Sequence, residues 1–183
     1  MKKTTVLIMT ITALLSLALV AGCGKQTDQA NQLVDEASQL SGDAQQKVTQ
    51  TETLILQASD QQAAGQTDAQ KATLTKIKAL NDEILAQIAQ AKAKTDQAVA
   101  LNISDSYRRQ LQASSAALDA ASNLFSTQQE MVTLLLGDPA LDAPGSRQKY
   151  NELQARASDQ RSTLEDADAE ARRLAQENAN APN

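Results

Sequence analysis

From residue 29 onward, small apolar side chains return at steps of three and four, the spacing that places them on one face of an α-helix. The first stripe runs Ala30, Leu33, Ala37, Leu40, Ala44, Val48, Thr51, Ile55 and Ala58. It predicts a helix over residues 28–63, with Ser41-Gly42-Asp43 as a candidate kink and Gly65 as its stop. Thr67 followed three residues later by Gln70 has the form of a capping box. The stripe resumes at Leu74, Ile77, Leu80 or Asn81, Ile84, Ile88, Ala91, Thr95 and Ala98, predicting a second helix over 68–101. The third stripe alternates steps of four and three through Tyr107, Leu111, Ser114, Leu118, Ala121, Phe125, Gln128, Val132 and Leu135. It stops at Gly137-Asp138-Pro139, since proline cannot continue a helix and restricts the residue before it. A fourth stripe follows at Tyr150, Leu153, Ala157, Gln160, Leu164, Ala167, Ala171 and Leu174, and from Asn178 the chain is expected to fray.

Two outcomes stay open between the second and third stripes. Residues 102–106, Asn-Ile-Ser-Asp-Ser, hold no Gly or Pro, yet their polar side chains compete for backbone hydrogen bonds and suit a new helix start. Otherwise the two helices fuse into one of about 69 residues and roughly 100 Å. With a turn there, the chain is all-α, an antiparallel up-down-up-down four-helix bundle with coiled-coil-like packing over residues 28–178, followed by a polar tail at 179–183. Each helix would be about 50 Å long at 1.5 Å per residue. Ala, Ser and Thr at many stripe positions predict thin, close-packed helices with little space between them, and therefore no haem or other large cofactor.

The first 24 residues follow a different pattern. Lys2 and Lys3 precede an apolar stretch, 6–20, broken by Thr10, Thr12 and Ser16 and ending in small residues. That is the order of a secretory signal, and the stretch is shorter than the roughly 20 apolar residues that span a bilayer. Val20-Ala21-Gly22-Cys23 resembles a bacterial lipobox. The resemblance implies cleavage after residue 22, a diacylglycerol on the sulfur of Cys23, and a short tether at 23–27. It also gives a role to the only cysteine, which has no disulfide partner. Acyl chains contribute about 0.8 kcal/mol per buried methylene, so two or three on one residue hold a protein on the membrane without a spanning helix. The expected location is the extracytoplasmic face of the cell membrane.

Composition narrows the chemistry. The chain has 183 residues, no His, no Trp, 2% aromatic residues and a formal charge of −5. Losing residues 1–22 removes two lysines and no acid, leaving 15 basic against 22 acidic side chains, a net charge of −7. Nucleic acid is excluded as a partner by that balance and by the lack of a basic run or an aromatic platform. Without His, a di-metal carboxylate bundle of the Glu-x-x-His kind is unavailable, and no metal site is expected. Asp35-Glu36, Asp82-Glu83 and the acidic group Glu165, Asp166, Asp168 and Glu170 fall mostly off the stripes, as a solvated face does. No nucleophile elbow or phosphate-binding glycine loop is present, so no enzyme is expected and no cofactor is assigned. Arg108-Arg109 and Arg172-Arg173 are read as partners of acidic neighbours on their own helices.

The remaining feature is the loop at 137–146, longer than the two to eight residues a bundle connection uses. It presents Leu141 between two prolines, and Asp138, Pro139, Leu141 and Asp142 are the candidate partner contacts. The lipobox followed by an all-helical body resembles the cell-wall-binding lipoproteins of Gram-positive bacteria. It implies a non-enzymatic spacer or adaptor, anchored through the lipid on Cys23, for cell-wall polymer or an envelope protein. The alternative from another class is an accessory solute-binding or stress-sensing subunit of a membrane complex. A spacer predicts a dry, continuous seam between the helices, and a binding subunit predicts a cavity.

Overall fold

The computed structural model describes residues 25–180, and the sites proposed at Val20, Ala21, Gly22 and Cys23 lie outside them. Four helices follow in order: α1 Lys25–Ala63, α2 Thr67–Val99, α3 Asp105–Gly137 and α4 Ser146–Asn180. Among the described residues there is no strand, and no helix is long and apolar enough to cross a membrane. The chain is an all-α helical bundle.

The helix ends are set by local chemistry. Gly65 adopts φ +70°, and around it Gln66 N–H donates to Gln61 O at 2.9 Å and Gly65 N–H to Gln62 O at 3.1 Å. That pair of bonds is a Schellman motif, in which glycine takes the left-handed position without steric penalty. The capping box expected at Thr67 is not formed: Thr67 lies inside the first turn of α2, and Gln66 occupies the cap with no side-chain bond. Gln70 is buried instead of reaching back to the helix start.

Between α2 and α3 the chain turns, which settles the alternative of one fused helix. Ser104 sits in extended conformation as N-cap, and its hydroxyl accepts from Tyr107 N–H at 3.3 Å. Arg108 donates back to the carbonyls of Leu101 and Ile103, each at 3.3 Å, so the orphan groups of the turn are held from one side chain. Ile103 plugs the turn into the interior. At Ser41-Gly42-Asp43 the helix continues unbroken.

Hydrogen bonds between distant segments fix the antiparallel order. Gln26 accepts from Asn102 N–H at 2.7 Å, Tyr107 Oη donates to Asn31 Oδ1 at 2.7 Å, and Asn178 Nδ2 donates to Gln110 Oε1 at 2.8 Å. The start of α1, the α2–α3 turn and the end of α4 therefore share one pole. At the other, Gln62 Nε2 donates to Pro139 O at 2.9 Å and joins the end of α1 to the α3–α4 loop. Asn178, expected to lie in a frayed tail, is helical and tied down, and α4 runs on to Asn180.

The inward face of α1 departs from the expected one. Val34 and Ser41 are buried, while Leu33 and Leu40 are only half-buried and pack against the flanks of the core. The buried set 30, 34, 37, 41, 44, 48 and 51 keeps steps of four and three and continues through half-buried Ile55 to buried Ala58, and position overrides side-chain size. In α2 the same rule puts Asn81 inside and leaves Leu80 half-buried.

α2 packs against α1 and α3, and α4 packs against α3, but no Cα of α1 comes within 8 Å of a Cα of α4. The bundle is thus close-packed along three interfaces, and α1 and α4 stand further apart along the fourth. α3 is accordingly buried over the widest face, adding Gln110, Ala117, Ala120, Leu124 and Thr127 to its stripe. Ion pairs such as Lys47–Glu83 and Lys94–Glu36, both 2.6 Å, stitch α1 to α2 at the surface, where each is worth about 0–1 kcal/mol.

Two substitutions test this packing. Ile84→Ala, at a fully buried position, should lower unfolding free energy by about 2–5 kcal/mol, whereas Leu56→Ala, exposed to 44%, should change it by less than about 0.5 kcal/mol. Urea denaturation followed by circular dichroism reads both, and an equal loss at the two positions would contradict the assigned core.

Candidate functional site

At the pole far from the start of α1 lie the α3–α4 loop and, beneath it, a cavity. In the loop, Asp138 accepts from Asp142 N–H at 3.1 Å and from Ala143 N–H at 2.8 Å, while its own carbonyl accepts from Leu141 N–H at 3.1 Å. Leu141 is held at φ +55°, a left-handed conformation that costs a non-glycine residue about 1 kcal/mol or more. A hydrogen bond from Ser146 and those from the loop amides hold the Asp138 carboxyl below the usual carboxylate range. Of the four expected contact residues, Asp138 and Pro139 are thus engaged within the protein, Leu141 is half-buried, and only Asp142 is fully exposed. The loop is a preformed turn rather than a slack connection.

The cavity corrects the expectation of an interior without space. Its volume is about 390 Å³. α2 and α3 wall it with Leu74, Ile77, Val132, Met131 and Leu135, while α1 and α4 contribute Ile55 and the small residues Ala58, Ser59 and Ala157. Small side chains on two helices that do not approach each other cannot fill the gap between them, and the void follows. Such volumes fall within the range of small-molecule pockets.

One wall residue stands apart. Asn81 is 1% exposed and lines the cavity, and neither its Nδ2 nor its Oδ1 has a hydrogen-bond partner. Leaving a buried amide unsatisfied costs about 1–3 kcal/mol, and its neighbours on the stripe, Ile77 and Ile84, are buried hydrocarbon side chains that offer it no partner. On α1 and α4 other polar atoms are also buried without hydrogen-bond partners: Thr51 Oγ1 and Glu52 Oε1 on α1, Gln160 Oε1 and the Nε and Nη2 of Arg161 on α4. Burial pulls the Arg161 guanidinium below its usual value, opposed by the charges of Glu165 and Glu52.

Several other titratable groups are tied into the scaffold. Lys92 bonds Asp96 at 2.7 Å and Ser115 at 3.1 Å, and the Asp96 bond chiefly holds its ammonium above the usual range. Burial pushes Asp96 up, yet the bonds from Lys92 and Ser115 outweigh it and leave its carboxyl low. Arg172 pairs with Asp168 at 2.8 Å and Arg173 with Glu170 at 2.7 Å, the same-helix partners expected from sequence. Among the described residues no group of three metal-ligating side chains comes together. The sequence carried a sign of the cavity in Asn81, a polar residue on an apolar stripe. It carried none of the void itself, which depends on the spacing of α1 and α4.

Compared with protein-family models, with curated proteins and with solved structures, the chain matches none.

The loop supplies a prediction with a definite sign. Because the folded Asp138 carboxyl titrates below its ordinary value, its contribution to loop order is complete above that ordinary value and is lost as pH falls through the folded one. Hydrogen exchange should therefore show the amides of Asp142 and Ala143 protected at neutral pH and released in acid, and Asp138→Ala should release them at every pH. Protection that survives Asp138→Ala would remove the carboxylate from its organising role.

Proposed function

We propose that the chain is a non-enzymatic envelope protein, anchored to the membrane through a lipid on Cys23 and acting as a helical spacer or adaptor for cell-wall polymer or an envelope partner. The arrangement of the poles supports this reading. α1 begins at Lys25, so a lipid on Cys23 lies beside the pole that holds the α2–α3 turn and the end of α4. The opposite pole, with the Gly65 turn and the loop around Asp138, then stands about 50 Å from the bilayer at 1.5 Å per helical residue. A net charge of −7 after processing disfavours adsorption to anionic lipid or nucleic acid, leaving the acyl chains as the membrane contact.

A second reading, an accessory solute-binding or sensing subunit, gains support from a single observation, the 390 Å³ cavity with the unpartnered Asn81 on its wall. A spacer has no need of such a void.

Anchoring is tested by growing cells on radioactive fatty acid. The protein should take up label, and Cys23→Ser should abolish it and release the protein from the membrane fraction; a wild-type chain that stays unlabelled ends the anchored reading. Adaptor action at the far pole is tested by replacing residues 137–146 with a short Gly-Ser turn. Crosslinked partner should fall while helicity persists, and full capture by the folded variant would move the contact to the helix faces.

A further inference from the structure

The cavity beneath the far pole combines three properties that together specify a ligand. The first is Asn81, buried with both halves of its amide unused. An amide presents a donor and an acceptor side by side, so its complement is a group that both accepts and donates, such as a primary amide or an alcohol. The second is charge. No lining residue carries one: besides Asn81, the polar members are Ser59, Gln62, Gln70, Gln128 and Gln154. An ion brought here would lose its hydration with no opposite charge in exchange, which selects against carboxylates and ammonium groups. The third is shape. Asn81 and Gln70 both line the cavity and lie eleven residues apart on α2, so the space extends for about 16 Å along the bundle axis at 1.5 Å per residue. Between them the α2 wall is Leu74 and Ile77.

We infer that this cavity binds an uncharged, single-chain amphiphile, whose amide or alcohol head pairs with Asn81 and whose alkyl tail lies along α2 toward Gln70. The acyl chains proposed for Cys23 are not the occupant. The α1 residues on the cavity wall begin at Ile55, thirty positions beyond the start of the helix, so roughly 45 Å separates the two places. The site deepens the solute-binding reading, on which it rests, and is independent of anchoring.

Photolabelling of the whole chain, held in phosphatidylglycerol nanodiscs, locates the ligand directly. A diazirine-bearing decanamide should label the cavity segments 55–62, 74–81 and 128–135 in a saturable manner. Unlabelled decanamide should compete, and decanoate at pH 8 should compete at least about tenfold less well, the scale of one hydrogen bond to a buried group. Asn81→Leu should erase the gain of decanamide over the matching diazirine hydrocarbon while leaving labelling by that hydrocarbon intact, and decanoate should still compete poorly because the lining stays uncharged. Ala58→Phe, which fills the space and leaves Asn81 in place, should abolish labelling by every probe with helicity retained. If the hydrocarbon labels the cavity but decanamide gains nothing over decanoate, the assignment of an uncharged head to Asn81 is wrong while a solute site remains. Labelling spread over the surface, labelling unchanged in Ala58→Phe, or none at all would overturn both the inference and the solute-binding reading.

Discussion

Inward-facing positions at alternating steps of four and three, filled largely by alanine, govern the rest of this bundle. Ala30, Ala37 and Ala44 on α1, Ala91 and Ala98 on α2, and Ala117, Ala120 and Ala121 on α3 are all buried. Their small volume brings helix axes close together, as ridges of one helix settle into grooves of the next. The same residues bring little apolar area. Burial energy is therefore concentrated in a few larger side chains, Ile77, Ile84, Leu111, Leu118, Leu124 and Leu153 among them, each worth about 1.5–3 kcal/mol. Close approach along α1–α2, α2–α3 and α3–α4 leaves the α1–α4 interface unmatched. The wider α1–α4 spacing accompanies the cavity, which all four helices line.

Interior polar groups are not all treated alike. Some near the start of α1 are paired: Tyr107 donates to Asn31, and Asn178 donates to Gln110. Burial, with Asp35 nearby, pushes the Tyr107 hydroxyl up to about 12, so it remains a protonated donor throughout the neutral range. Toward the other pole Asn81 has no partner in the protein. A buried amide in a helical core commonly fixes register by pairing with another amide, and Asn81 lacks that pairing. The contrast within one bundle is the reason to regard the far cavity as a place for something else to bind.

The three connections show how little chain is needed once backbone groups are satisfied. Gly65 closes the first by occupying a left-handed position, and Ser104 with Arg108 closes the second by capping from both sides. The third is longer, and there a single carboxylate, Asp138, gathers the loop amides and compensates the strained Leu141. A loop ordered in this way presents a fixed surface, so partner recognition there would require little loss of conformational freedom.

Periodicity alone determined the existence and order of the four helices, because burial of one face repeats along each helix independently of the others. Gly65 and the Gly137-Asp138-Pro139 stop were legible for the same local reason, and so was the Ser104 region as one of two open outcomes. Size misled the choice of Leu33 and Leu40 over Val34 and Ser41, since a larger side chain attracts attention while the steps of four and three decide which residue faces inward. Thr67 and Gln70 matched a cap by spacing, but the glycine turn and the inward course of Gln70 removed the need for it. The cavity could not be read from any stripe. Its volume depends on the distance between α1 and α4, which have no close Cα approach of their own, so that distance follows largely from how the three other pairs of surfaces pack.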